Sequence, residues 1–204
     1  MADFWVERKI AERGFKIIAG IDEAGRGALF GPIVAASVVF PLSLIKGEGE
    51  AWLKEINDSK LLSTRQRQRL AKNILIHATS VGIGFATNEE IDRQNIYWAS
   101  LTAMKRAVAN MTISPDFLLV DGFCLSSVNY PQIGVRQGDR KSLTIAAASI
   151  IAKVLRDKMM WQLDKIYEGY ALAKNKGYGT KEHYAALKKR GPCPGHRKSF
   201  NLRH

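Results

Sequence analysis

Apolar positions along the chain change period several times, and the changes divide it into elements. Two short runs rich in β-branched and apolar residues, "FKIIAGID" and "PIVAASVVF", are joined by a glycine-rich connection and predict neighbouring strands in a hairpin. After "NDSKLLS" the period lengthens. Ser63 with Gln66 three positions on has the form of a capping box, and Leu70, Ala71, Ile74 and Ala78 follow at helical spacing. "VGIGFAT" returns to strand character, and Thr87 with Glu90 opens a second helix carrying Ile91, Trp98, Leu101 and Val108. "DFLLVDG" is a short continuous apolar run, the pattern of a strand buried on both faces, and it closes on Asp121 and Gly122. The strand-like "IGVRQGD" ends near Asp139, ahead of the long helical segment "LTIAAASIIAKVLRDKMMWQLDKIY". In that segment Ala148, Ile151, Ala152, Leu155, Met159, Leu163 and Ile166 predict one apolar stripe. The small residues Ala146, Ala147, Ala148 and Ser149 predict close approach to a sheet. A last helix runs from about Thr180 to Arg190, capped by Thr180 and stopped by Gly191 and Pro192.

A hairpin followed by strands alternating with helices defines an α/β class: a mixed sheet flanked by helices, with a small helical C-terminal portion. The 204 residues are enough for one substantial core, and the chain shows no internal repeat, low-complexity stretch or linker, so one domain over 1–204 is expected.

Charge sharpens this picture. The chain carries 31 Lys and Arg against 19 Asp and Glu, a formal +12. A polyanionic partner is the natural inference, although a basic surface that binds nothing would give the same number. Two cysteines, Cys124 and Cys193, with no paired spacing, suit a reducing cytosol and read as structural thiols. Cys193 and His196 lie three apart, a weak zinc signal without a second pair. The N-terminus lacks the apolar core of a secretory signal, and the longest apolar stretch, "IVAASVVFPLSLI", is too short to span a bilayer and is broken by Pro41. A cytoplasmic protein without membrane contact is expected.

Against this basic background the acids Asp22, Glu23, Asp121 and Asp139 stand out, because each falls at or just past the end of a predicted strand. In open α/β sheets such ends are where sites assemble. Carboxylates gathered there raise one another's pKa and need compensation, and an all-oxygen set without His or Cys points to Mg²⁺ or Mn²⁺. Two such ions can activate a water and stabilise a leaving oxygen in phosphoryl transfer. Any one of these acids alone, Asp121 above all, reads more readily as turn or capping chemistry, so the weight lies on the set. Adjacent strand residues point to opposite faces, so Asp22 and Glu23 reach one site only if the strand loses its regular alternation there. Gly25, Arg26 and Gly27 follow at once. They lack the spacing of a dinucleotide or P-loop motif, but their backbone can approach a nucleic-acid strand while Arg26 reaches a phosphate; a tight hairpin turn is the plainer alternative.

Taken together, "GIDEAGRGALFGP", "NDSKLLS", "LLVDG", "QGDRKSLTIAAASIIAKVLRD" and "GYGTKEHYAALKKRGPCPGHRKSF", in this order, strongly resemble the bacterial ribonuclease HII family from about Ile17 to Phe200. The resemblance implies a ribonuclease H-like fold, with a catalytic core over about 15–168 and a helical C-terminal extension over about 169–204 that contributes substrate contacts. It implies metal-dependent cleavage of RNA in RNA–DNA hybrids and at ribonucleotides embedded in duplex DNA, by a protein expected to be a monomer. Asp22, Glu23, Asp121 and Asp139 then become the metal-binding carboxylates, with two Mg²⁺ or Mn²⁺ ions during catalysis. Gly25, Arg26 and Gly27 become the loop that recognises the 2′-hydroxyl at the junction, and Tyr178 the residue stacking on the sugar that follows. Lys60, inside a shared motif, becomes a phosphate contact; Lys141, Lys153 and Lys176 are further basic residues near motifs, read as solvated charges. The related ribonuclease HIII carries Lys in place of Arg26 and an added N-terminal domain. Asp157, also near the fourth acid, reads instead as an ion-pair partner of Lys153. A non-catalytic hybrid-binding module and a DNA nuclease of related fold are the competing readings; retention of all four acids weighs against the first, and Arg26 and Tyr178 against the second.

Overall fold

The computed structural model describes residues 2–47, 50–57, 59–126 and 128–203. Asp58, inside the "NDSKLLS" motif, lies outside them. In chain order the elements are α1 (Trp5–Glu12), β1 (Ile18–Ala24), β2 (Ile33–Val39), the short α2 (Leu42–Lys46), a 3-10 turn (Ala51–Glu55), α3 (Thr64–His77), β3 (Ser80–Ala86), α4 (Asn88–Ala109), β4 (Phe117–Asp121) and β5 (Gln132–Val135). A second 3-10 turn (Gly138–Arg140), α5 (Leu143–Asp164), α6 (Leu172–Asn175) and α7 (Lys181–Arg190) complete the chain.

The five strands form one mixed sheet in the order β3-β2-β1-β4-β5. β1, β2 and β3 pair antiparallel, as the predicted hairpin requires, while β4 and β5 join in parallel. β1 is therefore central and every residue from Ile18 to Asp22 is buried. The sheet is covered on both faces. Ala36, Val38, Ala147, Ile150 and Ile151 pack together under α5, while Ala19, Ile21, Ala103, Met104 and Ala107 pack under α4. Gly20 lets α5 lie against the strand: a Cβ there would stand 2.2 Å from the Thr144 carbonyl carbon.

Helix starts follow the sequence closely. Both capping boxes form, Ser63 with Gln66 and Thr87 with Glu90, and Thr180 caps α7 through His183 N–H. The start of α5 is held further by α1, because buried Glu7 accepts from the Ser142 and Thr144 hydroxyls and from Thr144 N–H. This fixes the turn carrying Asp139, just upstream.

Two expectations change. The second helix is not continuous: Asn95 has φ 67° and ψ 168°, and Oδ1 of Asn95 caps the next piece through Tyr97 and Trp98 N–H. Glu90 and Arg106 form a two-pronged pair, with Nη1 at 2.9 Å and Nη2 at 2.7 Å, although 16 residues of straight helix would separate them by about 24 Å. The chain therefore folds back at Asn95. In the long helix, the stripe holds through Ile151 and Ala152, but further on the buried positions are Arg156 and Met160 while Ile166 is 69% exposed. Arg156 is buried because backbone carbonyls replace its water, a pairing that an apolar periodicity cannot signal.

Candidate active site at the strand ends

All nine residues singled out for chemistry, Asp22, Glu23, Gly25, Arg26, Gly27, Lys60, Asp121, Asp139 and Tyr178, line one open cleft of about 690 Å³ at the ends of β1 and β4. Lys141 and Lys176 do not line it. A larger groove of about 810 Å³ lies along the C-terminal tail, between Tyr184 and Arg203, but among the described residues no carboxylate side chain lines it.

The expected loss of alternation at Asp22 and Glu23 does not occur. β1 pairs with β2 one to one to its end, Asp22 opposite Ala36, Glu23 opposite Ala35 and Ala24 opposite Val34. What ends early is the other side, where the last parallel pair with β4 is Ile21–Val120. Beyond it the pairing on that side stops, so both faces of the β1 tip open on the same cleft. Asp22 stays on the α5 side, where Ser149 hydrogen-bonds it, and Glu23 lies on the other. The site is thus wrapped around a strand end and needs no bend.

Electrostatics mark the place. Asp22 is 6% exposed, and burial, then the charges of Glu23 and Asp121, push its carboxyl well above the usual range; it accepts from Glu23 N–H at 2.7 Å. Burial also raises Glu23, opposed by Arg26, whose Nη1 lies 3.3 Å away. Asp121 Oδ1 accepts from Gly138 N–H at 2.7 Å, which ties the end of β4 to the turn carrying Asp139. As the side chains lie, no three of these or other metal-ligating groups among the described residues close on one point. Their donor chemistry nonetheless fits a hard divalent cation: four carboxylates, no nitrogen or sulfur, and mutual repulsion that the Arg26 contact to Glu23 offsets only in part.

The glycine–arginine–glycine loop and Tyr178 are held together by two buried arginines that donate to backbone carbonyls. Arg156 donates to the carbonyls of Pro32, Lys176 and Phe30 at 3.0, 2.8 and 2.9 Å, and Arg197 donates to those of Gly31 and Arg26, both at 2.9 Å. Burial lowers both guanidinium pKa values, Arg197 to about 9. Gly25 has φ 100°, and a Cβ on it would lie 2.1 Å from Arg156 Nε, so only glycine fits. Arg26 also lies over the Phe123 ring, 5.7 Å from its centroid, while Lys153 and Arg156 lie 5.4 and 5.5 Å from that of Tyr178.

Asp157 pairs with Lys153 at 2.7 Å, as its mid-helix position predicts, and lines a neighbouring hollow. Sequence reasoning missed Ser59, Ser149 and Arg67, which also line the cleft. Ser149 reads as a small packing residue in an alanine-rich run; its hydroxyl, 2.9 Å from that of Ser59, becomes visible as a site group only once α5 is laid against β1.

A mixed sheet of this order, with acids at the tips of its two central parallel strands and a basic rim, defines a nuclease of the ribonuclease H-like fold. Comparisons make that specific. The model of the family described as Ribonuclease HII matches residues 19–203. Ribonuclease HII of Caldanaerobacter subterraneus subsp. tengcongensis is 48% identical over 194 residues, covering 95% of this chain and 78% of that protein. The crystal structure of ribonuclease H2 from Pyrococcus horikoshii OT3 superposes with a TM-score of 0.73 at 25% identity, covering 91% of this chain and 94% of that one. Bst ribonuclease HIII in complex with Mn²⁺ shares the fold, with a TM-score of 0.65 at 19% identity over 92% of this chain and 68% of that one. The chain belongs to the ribonuclease HII family, and its activity is that of a type 2 ribonuclease H, a phosphodiester-cleaving endonuclease dependent on divalent metal. Among the described residues no helix is long and apolar enough to cross a membrane.

Proposed function

We propose that this cleft cuts RNA in RNA–DNA hybrids and at single ribonucleotides embedded in duplex DNA, leaving 5′-phosphate and 3′-hydroxyl ends. The observation that carries the reading is the convergence of Asp22, Glu23, Asp121 and Asp139 on one strand-end cleft that also contains Arg26 and Tyr178. The four carboxylates would hold two Mg²⁺ or Mn²⁺ ions, which when bound activate the attacking water and stabilise the leaving oxygen. Asp121 keeps its second oxygen available because Gly138 N–H occupies Oδ1. Arg26, 42% exposed at its side chain, presents donors toward the ribose and its phosphate while anchored to Glu23. The backbone of Gly25 and Gly27 lets the strand come close. Tyr178 offers a ring face to the next sugar, and Lys60 and Lys153 neutralise phosphates along the rim. Residues 169–204 serve as the extension that brings Tyr178 to the core, in a monomeric cytoplasmic enzyme.

Cleavage of a duplex containing one ribonucleotide tests this. Activity is expected with Mg²⁺ or Mn²⁺, none in EDTA, and a fall of about a thousandfold in Asp121→Asn, the scale of several kcal/mol of lost transition-state stabilisation. Equal cutting of all-DNA duplex, or cutting in EDTA, would sink the proposal.

A further inference from the structure

Behind Tyr178, two fully buried histidines form a chain of hydrogen bonds whose direction is fixed at one end. His183 Nδ1 lies 3.0 Å from the Tyr178 carbonyl oxygen, His183 Nε2 lies 3.1 Å from His196 Nε2, and His196 Nδ1 lies 3.0 Å from Cys193 N. A carbonyl oxygen can only accept, so His183 carries its proton on Nδ1 and its Nε2 is bare. The facing Nε2 of His196 must then carry the proton, which leaves His196 Nδ1 to accept from Cys193 N–H. The remaining contacts are consistent: the Cys193 carbonyl, 3.3 Å from His196 Nδ1, already accepts from His196 N–H at 3.0 Å, and the Cys193 thiol, also 3.3 Å from Nδ1, can donate to it. Every ring nitrogen thus has one role, and both rings are neutral. Burial favours that state, lowering His183 and bringing His196, further depressed by His183, to about 4. Phe30 and Tyr170 close the pair edge-on, with centroids 5.0 and 4.8 Å from His196.

The chain runs from the turn at Cys193 to the backbone of Tyr178, the one described residue of the C-terminal extension that lines the cleft. On its other side Tyr178 is bridged to Ala28, immediately after the glycine–arginine–glycine loop. We propose that His183 and His196 are positioning residues for junction recognition: a tautomer-locked relay that sets the backbone of Tyr178, and with it the angle at which the ring meets the sugar. The inference rests on Tyr178 being the residue that reads the junction.

Two measurements test it. Long-range ¹H–¹⁵N correlation on the imidazoles of the wild-type protein should show His183 protonated at Nδ1 and His196 at Nε2; the reverse assignment in either ring overturns the relay. In cleavage assays, the rate on a single-ribonucleotide duplex divided by that on a uniform hybrid should fall about fivefold in His183→Phe, the effect of one neutral hydrogen bond. It should recover in His183→Asn, whose amide can donate to the same carbonyl. Folding of each variant is checked by circular dichroism, and if His183→Phe does not fold, His183→Gln, whose amide takes the place of Nε2 and leaves the Tyr178 carbonyl without its donor, is read in its place and should show the same fall. Tyr178→Ala in the same assay separates two failures. An unchanged ratio there removes the reading of Tyr178 itself, whereas a loss there with the ratio kept in folded His183→Phe removes the relay.

Discussion

At the scale of single residues, Asp22 shows what the site costs the fold. Its folded-state pKa is raised above the ordinary value of 3.8 by burial and by the neighbouring Glu23 and Asp121 charges. A raised carboxylate stabilises the folded state only while protonated, so the contribution of Asp22 to the stability of the metal-free protein is lost as pH climbs above about 4. Asp22→Asn keeps an oxygen able to accept from Glu23 N–H and removes the charge. In EDTA at pH 7.5 it should therefore melt higher than wild type, by about 2–4 °C for each kcal/mol recovered in a chain of this size, with the difference vanishing near pH 4. An Asp22→Asn protein melting lower than wild type at pH 7.5 would contradict the electrostatic account. These acids were legible in the sequence because residue type and strand-end position carry the information together. Ser149 and the histidine relay were not, because a serine in an alanine run, and histidines far along the chain from the four acids, acquire a role only through tertiary contacts.

Among the elements, strands and helix starts were legible because they are written in local patterns, period two against 3.6 and Ser or Thr with Gln or Glu three positions on. The fold-back inside α4 was not, because Asn95 looks like an ordinary polar residue in a helical run. It nevertheless orients two surfaces. The piece after it packs on β3, where a Cβ on Gly82 or Gly84 would lie 1.9 or 2.2 Å from the carbonyl oxygens of Ala107 and Ala103. The piece before it grips the C-terminal segment, with Asp92 accepting from Lys198 and Ser199 N–H and Asn88 donating to the Pro194 carbonyl. This joins the catalytic sheet to the loop that ends the histidine relay. Asn95→Ala should destabilise by about 2 kcal/mol, the sum of about 1 for the lost cap and about 1 for a Cβ at positive φ without a compensating hydrogen bond. Asn95→Gly loses the same cap but relaxes the backbone, so it should lie within about 1 kcal/mol of wild type. Chemical denaturation reads both; equal losses would mean that backbone conformation contributes nothing at this position.

For the whole molecule, the charge is unevenly placed. Residues 169–204 hold nine of the 31 basic residues and only one acid, Glu182, whereas all four site acids belong to the sheet and its turns. A positive extension beside a negative centre attracts the phosphate backbone while leaving the carboxylates to compensate cations rather than one another. Net charge in the sequence pointed to a polyanion but could not place it, since placement depends on how α5, α6 and α7 return to the rim. Binding of hybrid by the Asp121→Asn protein should therefore weaken steeply with salt. Each phosphate neutralised contributes about −0.9 to the slope of log K against log salt, so Arg26, Lys60, Arg67 and Lys153 around the cleft predict a slope of about −3 to −4, with any contribution from the extension making it steeper. Lys60→Gln should make the slope shallower by about one and weaken hybrid and single-ribonucleotide duplex alike, because a phosphate contact carries no junction information. Fluorescence anisotropy across about 50–300 mM KCl measures both quantities. A slope near zero would show that the basic rim does not meet the substrate, and a Lys60→Gln effect confined to the single-ribonucleotide duplex would move Lys60 from phosphate binding to junction reading.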